Sequence, residues 1–158
     1  MAPDAKKIAA PKWQDLDFLI VSQDDQLRFW ARSVFRKAGA ADVFSAPTGS
    51  EAPHILKTAT ADVILLDLFK EPRLAVRFVE HLRSLEHFAT IPLILRIQSG
   101  DEKWVRAACQ SGIQNVIRKP VAEAELLKRV AATITDPRPL VWTDNYVGKE
   151  RRTPDPNF

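Results

Sequence analysis

The stretch Ala61-Asp-Val-Ile-Leu-Leu-Asp67 is the strongest indication of the fold in this sequence. Residues 63–66 are all apolar, without polar alternation, which is typical of a central parallel strand that is buried on both faces. The run ends on a carboxylate, and open parallel sheets bind ligands at the carboxyl ends of their strands. Asp67 is therefore the first residue to consider for chemistry, as a metal ligand, a phosphate acceptor or a helix cap.

Four more short apolar runs accompany this strand, and segments with helical periodicity separate them. The runs lie at residues 18–21, 42–46, 92–97 and 114–118. The helical patterns lie at residues 27–38, 50–58, 74–85, 101–111 and 126–134. Five βα units in about 120 residues predict a parallel sheet with helices on both faces.

Length and composition favour one domain with short extensions. The chain has 158 residues, of which 46% are hydrophobic, and this fraction is ample for a packed core. We expect an N-terminal extension at residues 1–16, a folded domain at 17–135 and a Pro/Arg-containing tail at 136–158.

Charge and cysteine content exclude several classes of protein. The net charge of +3 is too small to indicate a dedicated nucleic-acid binder, so no direct DNA binding is expected. No apolar run is long enough to span a bilayer, so no membrane insertion is expected. The single cysteine, Cys109, cannot form an internal disulfide, and we expect a cytoplasmic protein.

The element order and four sequence pieces resemble the response-regulator receiver family. The match covers roughly residues 17–135, and the pieces are Phe18-Leu-Ile-Val, Ala61-Asp-Val-Ile-Leu-Leu-Asp67, Ile91-Pro-Leu-Ile-Leu and Val116-Ile-Arg-Lys119-Pro120. The resemblance implies a flavodoxin-like (βα)5 fold, which is a doubly wound parallel sheet in a three-layer sandwich. The strand order it implies is 2-1-3-4-5.

The same resemblance implies a phosphorylation site. An aspartate in the place of Asp67 accepts a phosphoryl group from a histidine kinase or a phosphotransfer protein, and Mg²⁺ neutralises the converging charges. A lysine in the place of Lys119 contacts the phosphoryl oxygens. Output then passes to a downstream protein target by contact. No base, nucleophile and orienting group converge in the sequence beyond Asp67 and Lys119, so we do not expect an enzyme.

The chain departs from the family pattern at the metal site. Counting along the first strand places Ser22 and Gln23 where the family has an acidic pair, and Asp24 falls one place later. With Asp67 as its only certain carboxylate, the site predicts weak Mg²⁺ binding. Asp24 could join Asp67 as a metal ligand through a local slip of the chain, or it could simply cap the following helix.

Two further departures concern the phosphoryl group. The position at which the family has a hydroxyl falls on Ile97, which has none. Lys70 or Lys119 could pair with Asp67 as a plain salt bridge. The sequence therefore predicts an atypical receiver with a degenerate phosphoacceptor pocket.

The tail offers a second candidate site, at Tyr146, Arg151 and Arg152. Guanidinium groups bind phosphates bidentately and stack on rings, and the segment is similar to tyrosine–glycine–arginine tails of some single-domain bacterial receivers. One alternative function is therefore binding of an anionic second messenger such as cyclic di-GMP. Another is a phosphorylation-independent adaptor, with a homodimer among its candidate assemblies. A solvated tail without a ligand is the plain alternative.

Overall fold

The structure is a computed structural model that describes residues 11–67, 72–97, 106–107, 110–135, 140–143 and 146–149. Within these residues, five parallel strands form one sheet in the order β2-β1-β3-β4-β5. The strands are β1 (Asp17–Ser22), β2 (Asp42–Ala46), β3 (Val63–Asp67), β4 (Leu93–Ile97) and β5 (Asn115–Arg118). The predicted fold class and strand order are confirmed.

The central position of β3 follows from its apolar sequence. All five of its residues are buried, and it pairs with β1 on one side and β4 on the other. A strand that is covered on both faces tolerates an uninterrupted apolar run, because neither face meets water.

Four helices in the described part of the chain cover the sheet. They are α1 (Asp25–Ala38), α2 (Ala52–Thr58), α3 (Pro72–Ser84) and α4 (Glu123–Ile134). The predicted boundaries agree to within about three residues, which is the usual uncertainty of helix ends. Residues 106–107 and 110–111 are also helical, and the rest of the helix predicted at 101–111 lies outside the described residues.

The sheet divides the core into two layers. One layer packs Phe18 and Leu65 against Val34 and Phe35 of α1 and Leu126 of α4. The opposite layer packs the alternate sheet residues, among them Leu19 and Leu66, against α2 and α3. This alternation matters for function, because it decides which face of the sheet each strand-end side chain lies on.

The tail contains a hairpin that the sequence analysis did not predict. Strand β6 (Leu140–Thr143) pairs antiparallel with β7 (Tyr146–Lys149) in a separate two-stranded sheet. The prolines of this region disfavour a helix, but they do not exclude short strands that lie between them.

No helix in the described part of the chain is long and apolar enough to cross a bilayer.

Candidate functional site

The candidate site is built around Asp67, the last residue of β3. Its side chain is completely buried, and the parallel register places it directly beside Ser22, the last residue of β1. A buried carboxylate needs positive or hydrogen-bonding partners, because burial in a low-dielectric environment disfavours the charged form. The chemistry of the site therefore depends on what surrounds these two oxygens.

Two cations contact the carboxylate, one on each oxygen. Nζ of Lys119 lies 2.9 Å from Oδ1 of Asp67, and Nη1 of Arg96 lies 3.4 Å from Oδ2. Each of the two basic side chains is only 15% exposed. Lys119 forms a salt bridge with Asp67, which is one of the alternatives that the sequence analysis left open, whereas the sequence analysis missed Arg96.

Strand alternation and register explain the position of Arg96. The register pairs Leu66 with Leu95, so the next residues along, Asp67 and Arg96, are neighbours on adjacent strands. Ile94 lies in the core layer under α1 and α4, and Arg96 shares its face because side chains alternate along a strand. A single charge within the apolar run of β4 was the signal that could have identified it.

The guanidinium of Arg96 also lies over the ring of Trp30 on α1. The Cζ atom of Arg96 lies 5.8 Å from the ring centroid, a distance at which a cation is attracted to the face of an aromatic ring. Trp30 is half-buried. The indole therefore links the arginine at the pocket to helix α1.

Lys119 is positioned by the end of β5. Its backbone N–H donates to the carbonyl oxygen of Ile97 at 2.8 Å, which extends the pairing of β5 with β4 by one residue. The following peptide bond, between Lys119 and Pro120, is cis. The ammonium group thus approaches Asp67 from the β5 side, opposite to Ser22 and β1 in the order of strands.

Ser22 is the residue that the sequence analysis placed where the family has an acidic residue. It is completely buried, and its hydroxyl lies 3.4 Å from Oδ2 of Asp67 while it accepts a hydrogen bond from the backbone N–H of Asp24. Arg28 donates to the carbonyl oxygen of Ser22 and pairs with Asp25. These contacts give the end of β1 a neutral hydroxyl beside Asp67.

Asp24 is the N-cap of α1. Its Oδ1 accepts hydrogen bonds from the backbone N–H groups of Gln26 and Leu27, at 2.9 and 3.3 Å. This contact matches the capping role that the sequence analysis left open as the alternative to metal binding. The slip of the chain that would have made Asp24 a metal ligand is not observed, because β1 ends in regular register at Ser22.

The described residues do not fit a magnesium site. Mg²⁺ requires several hard oxygen ligands in octahedral geometry. Here Asp67 already pairs with two cations, and Asp24 is engaged in capping. No group of three or more His, Cys, Asp or Glu side chains that could hold a metal occurs in the described part of the chain.

A cleft opens beside the pocket, between the start of α1 and the segment that follows β5. Its volume is about 250 Å³, and it is lined by Asp24, Gln26, Leu27, Trp30, Arg96, Pro120 and Val121. The outer side of Arg96 therefore borders open space, while its inner side contacts Asp67.

The remaining predicted site residues lie elsewhere or outside the description. Ile97, at the family's hydroxyl position, is buried in the layer under α2 and α3. Tyr146 begins β7 of the tail hairpin. Lys70, Arg151 and Arg152 lie outside the described residues.

Comparison with known proteins identifies the domain. The family model for the response regulator receiver domain matches residues 18–131. The structure of a response regulator from Chloroflexus aurantiacus has 25% sequence identity to this chain and a TM-score of 0.68. The match covers 76% of this chain and 97% of the response regulator. The chemotaxis protein CheY4 of Vibrio cholerae is 21% identical with a TM-score of 0.69, covering 75% and 98%.

Curated relatives include histidine kinases. The chain is 31% identical over 93 residues to hybrid signal transduction histidine kinase D of Dictyostelium discoideum. This match covers 59% of the chain and 6% of the kinase. It is 26% identical over 117 residues to the sensor histidine kinase TmoS of Ectopseudomonas mendocina, which covers 74% of this chain and 12% of the kinase. The chain thus spans only a small part of each kinase. Because the family model covers most of the sequence, the chain belongs to the response regulator receiver domain family of two-component signalling.

Proposed function

We propose that this receiver transmits a signal by protein–protein contact and that its phosphoacceptor pocket is degenerate. The observation that carries the proposal is the pairing of buried Asp67 with both Lys119 and Arg96. A nucleophilic carboxylate must reach phosphorus, and here each oxygen has a cation beside it and the side chain has no exposed surface.

The charge of the pocket supports this proposal. A carboxylate that receives a phosphoryl group gains negative charge, which the family neutralises with a lysine and a divalent cation. In this chain Ser22 contributes a hydroxyl where an acidic residue would help to hold that cation, and Arg96 adds a second fixed positive charge. The carboxylate of Asp67 therefore already has two cationic partners from the protein's own side chains before any ligand arrives.

The position of Ile97 supports the proposal independently. A hydroxyl at this place would follow a newly bound phosphoryl group and carry the switch, as the family resemblance implies. Ile97 is instead 93% buried among apolar residues, and it has no group that could hydrogen-bond a phosphoryl oxygen. We therefore expect phosphorylation to produce little rearrangement at the end of β4.

The partners we propose follow from the family to which the chain belongs. They are a histidine kinase or a phosphotransfer protein on the input side and a downstream protein target on the output side. We also propose a cytoplasmic, non-enzymatic protein that does not bind DNA directly. We also propose a homodimer as a candidate assembly.

Chemical phosphorylation tests the proposal. The protein is incubated with Mg²⁺ and acetyl phosphate, and its intact mass is measured alongside that of Asp67→Asn. We expect no mass increase that depends on Asp67. A phosphorylated species that forms in the unaltered protein and disappears in Asp67→Asn would contradict the degenerate pocket and identify a working switch.

A second candidate function is recognition of an anionic second messenger such as cyclic di-GMP by the tail. The β6–β7 hairpin favours it, because Tyr146 begins strand β7 a few residues before Arg151 and Arg152 in the sequence. Calorimetric titration with cyclic di-GMP tests it. Micromolar binding that is lost in Arg151→Ala/Arg152→Ala would support this function, and no binding by the unaltered protein would reject it.

A further inference from the structure

We propose that the guanidinium group of Arg96 takes the place of the divalent cation in this receiver pocket and keeps Mg²⁺ out. The inference rests on the proposed function, since it names the residue that makes the pocket degenerate. It assigns Arg96 the role of a permanent counter-ion for Asp67.

The carboxylate oxygen that Arg96 contacts is the first argument. Nη1 of Arg96 and Oγ of Ser22 both lie 3.4 Å from the same oxygen, Oδ2 of Asp67, whereas Lys119 contacts Oδ1. A metal ion shared between the ends of β1 and β3 would sit next to the oxygen that faces β1. The guanidinium places its charge on that oxygen.

The enclosure of Arg96 is the second argument. Its side chain is 85% buried, its guanidinium lies near the ring of Trp30, and its Nε is buried without a hydrogen-bond partner among the described residues. The ion pair with Asp67 and the contact with Trp30 hold the guanidinium at the pocket, although its outer side borders the cleft.

The small number of oxygen ligands available to Mg²⁺ among the described residues is the third argument. Asp24 caps α1 through Oδ1, and Asp25 pairs with Arg28. The described groups next to Oδ2 of Asp67 are therefore one hydroxyl and one cation. Mg²⁺ gives up its water shell reluctantly and would also meet a like charge a few ångströms away.

Restoring the acidic residues with and without Arg96 tests the inference. The two variants are Ser22→Asp/Gln23→Asp and the same pair with Arg96→Met. Mg²⁺ binding is measured by calorimetry and by tryptophan fluorescence. We expect the variant that lacks the arginine to bind Mg²⁺ about tenfold more tightly, the effect of removing one close like charge. The unaltered protein is expected to show no binding at millimolar Mg²⁺.

Matched variants separate charge from general damage. Arg118→Met, added to the acidic pair, removes an exposed positive charge on β5 and should leave Mg²⁺ affinity unchanged. Arg96→Lys should keep the affinity low, because it retains the charge. Since Ser22 is completely buried, Gln23→Asp alone, at an exposed position, provides a second background should the double variant fail to fold.

Two results would overturn the inference. One is equal Mg²⁺ affinity with and without Arg96→Met in a folded acidic background, and the other is millimolar Mg²⁺ binding by the unaltered protein. The first leaves the proposed function intact, because it concerns only the role of Arg96. Acetyl-phosphate labelling of the unaltered protein at Asp67 would instead overturn the proposed function itself.

Discussion

Arg96 and Asp67 lie side by side at the ends of β4 and β3, with Nη1 of the arginine 3.4 Å from Oδ2 of the completely buried aspartate. This contact is the main difference between the pocket and the one that the family resemblance implies. We therefore expect the charge of Asp67 to stabilise the fold. In a cluster of carboxylates, by contrast, an aspartate weakens the fold through repulsion.

Replacing Asp67 by asparagine should therefore destabilise the protein. The substitution leaves the cations of Lys119 and Arg96 without their carboxylate. We expect the free energy of unfolding to fall by about 2 kcal/mol. This is less than for a fully buried pair, because both basic side chains are 15% exposed. Urea denaturation measures it. A gain in stability would show that negative charge dominates the pocket.

A double-mutant cycle should detect the pairing of Asp67 with Arg96. We expect Asp67→Asn and Arg96→Met to be coupled by about 1 kcal/mol, because the second substitution costs less once its partner is gone. The matched cycle with Arg118→Met, on the neighbouring strand, should be additive. Coupling that is equal in both cycles would indicate a long-range charge effect without a specific contact.

Asp24→Ala should lower stability by about 1 kcal/mol through loss of the helix cap. Asp24→Asn keeps an oxygen that can accept from the same backbone N–H groups, so it should cost much less. Thermal unfolding with Mg²⁺ and with EDTA measures both variants. If Asp24 were a metal ligand, the stability of the unaltered protein would rise with Mg²⁺, and Asp24→Asn would abolish that rise.

Arg83 should be among the most sensitive positions outside the pocket. It is 95% buried on α3 and donates to the carbonyl oxygens of Ala89 at 3.1 Å and Gly112 at 2.7 Å. Arg83→Met would leave these buried acceptors unpaired, at a cost of about 3 kcal/mol. Arg77→Met, at an exposed position of the same helix, should change stability by less than about 0.5 kcal/mol. Equal effects of the two substitutions in urea denaturation would contradict this role.

The architecture could be predicted from local patterns in the sequence. The apolar run at residues 63–66 predicts the central strand, and the alternation of short apolar runs with helical periods predicts the five-stranded parallel sheet. Both are local patterns, so a linear reading captures them. Counting along the strands also predicts that Ser22 and Gln23 stand where the family has an acidic pair, and that Ile97 stands where the family has a hydroxyl.

The surroundings of Asp67 could not be predicted from the sequence, because they depend on the register between strands. Capping and metal binding were both compatible with the local sequence of Asp24, and the choice depended on where β1 ends and α1 begins. Arg96 lies 29 residues from Asp67, and a charge in a strand does not reveal its neighbour until the register between the two strands is known. Register arises from the packing of whole strands and helices, and for that reason the arginine that neutralises the pocket became visible only in the fold.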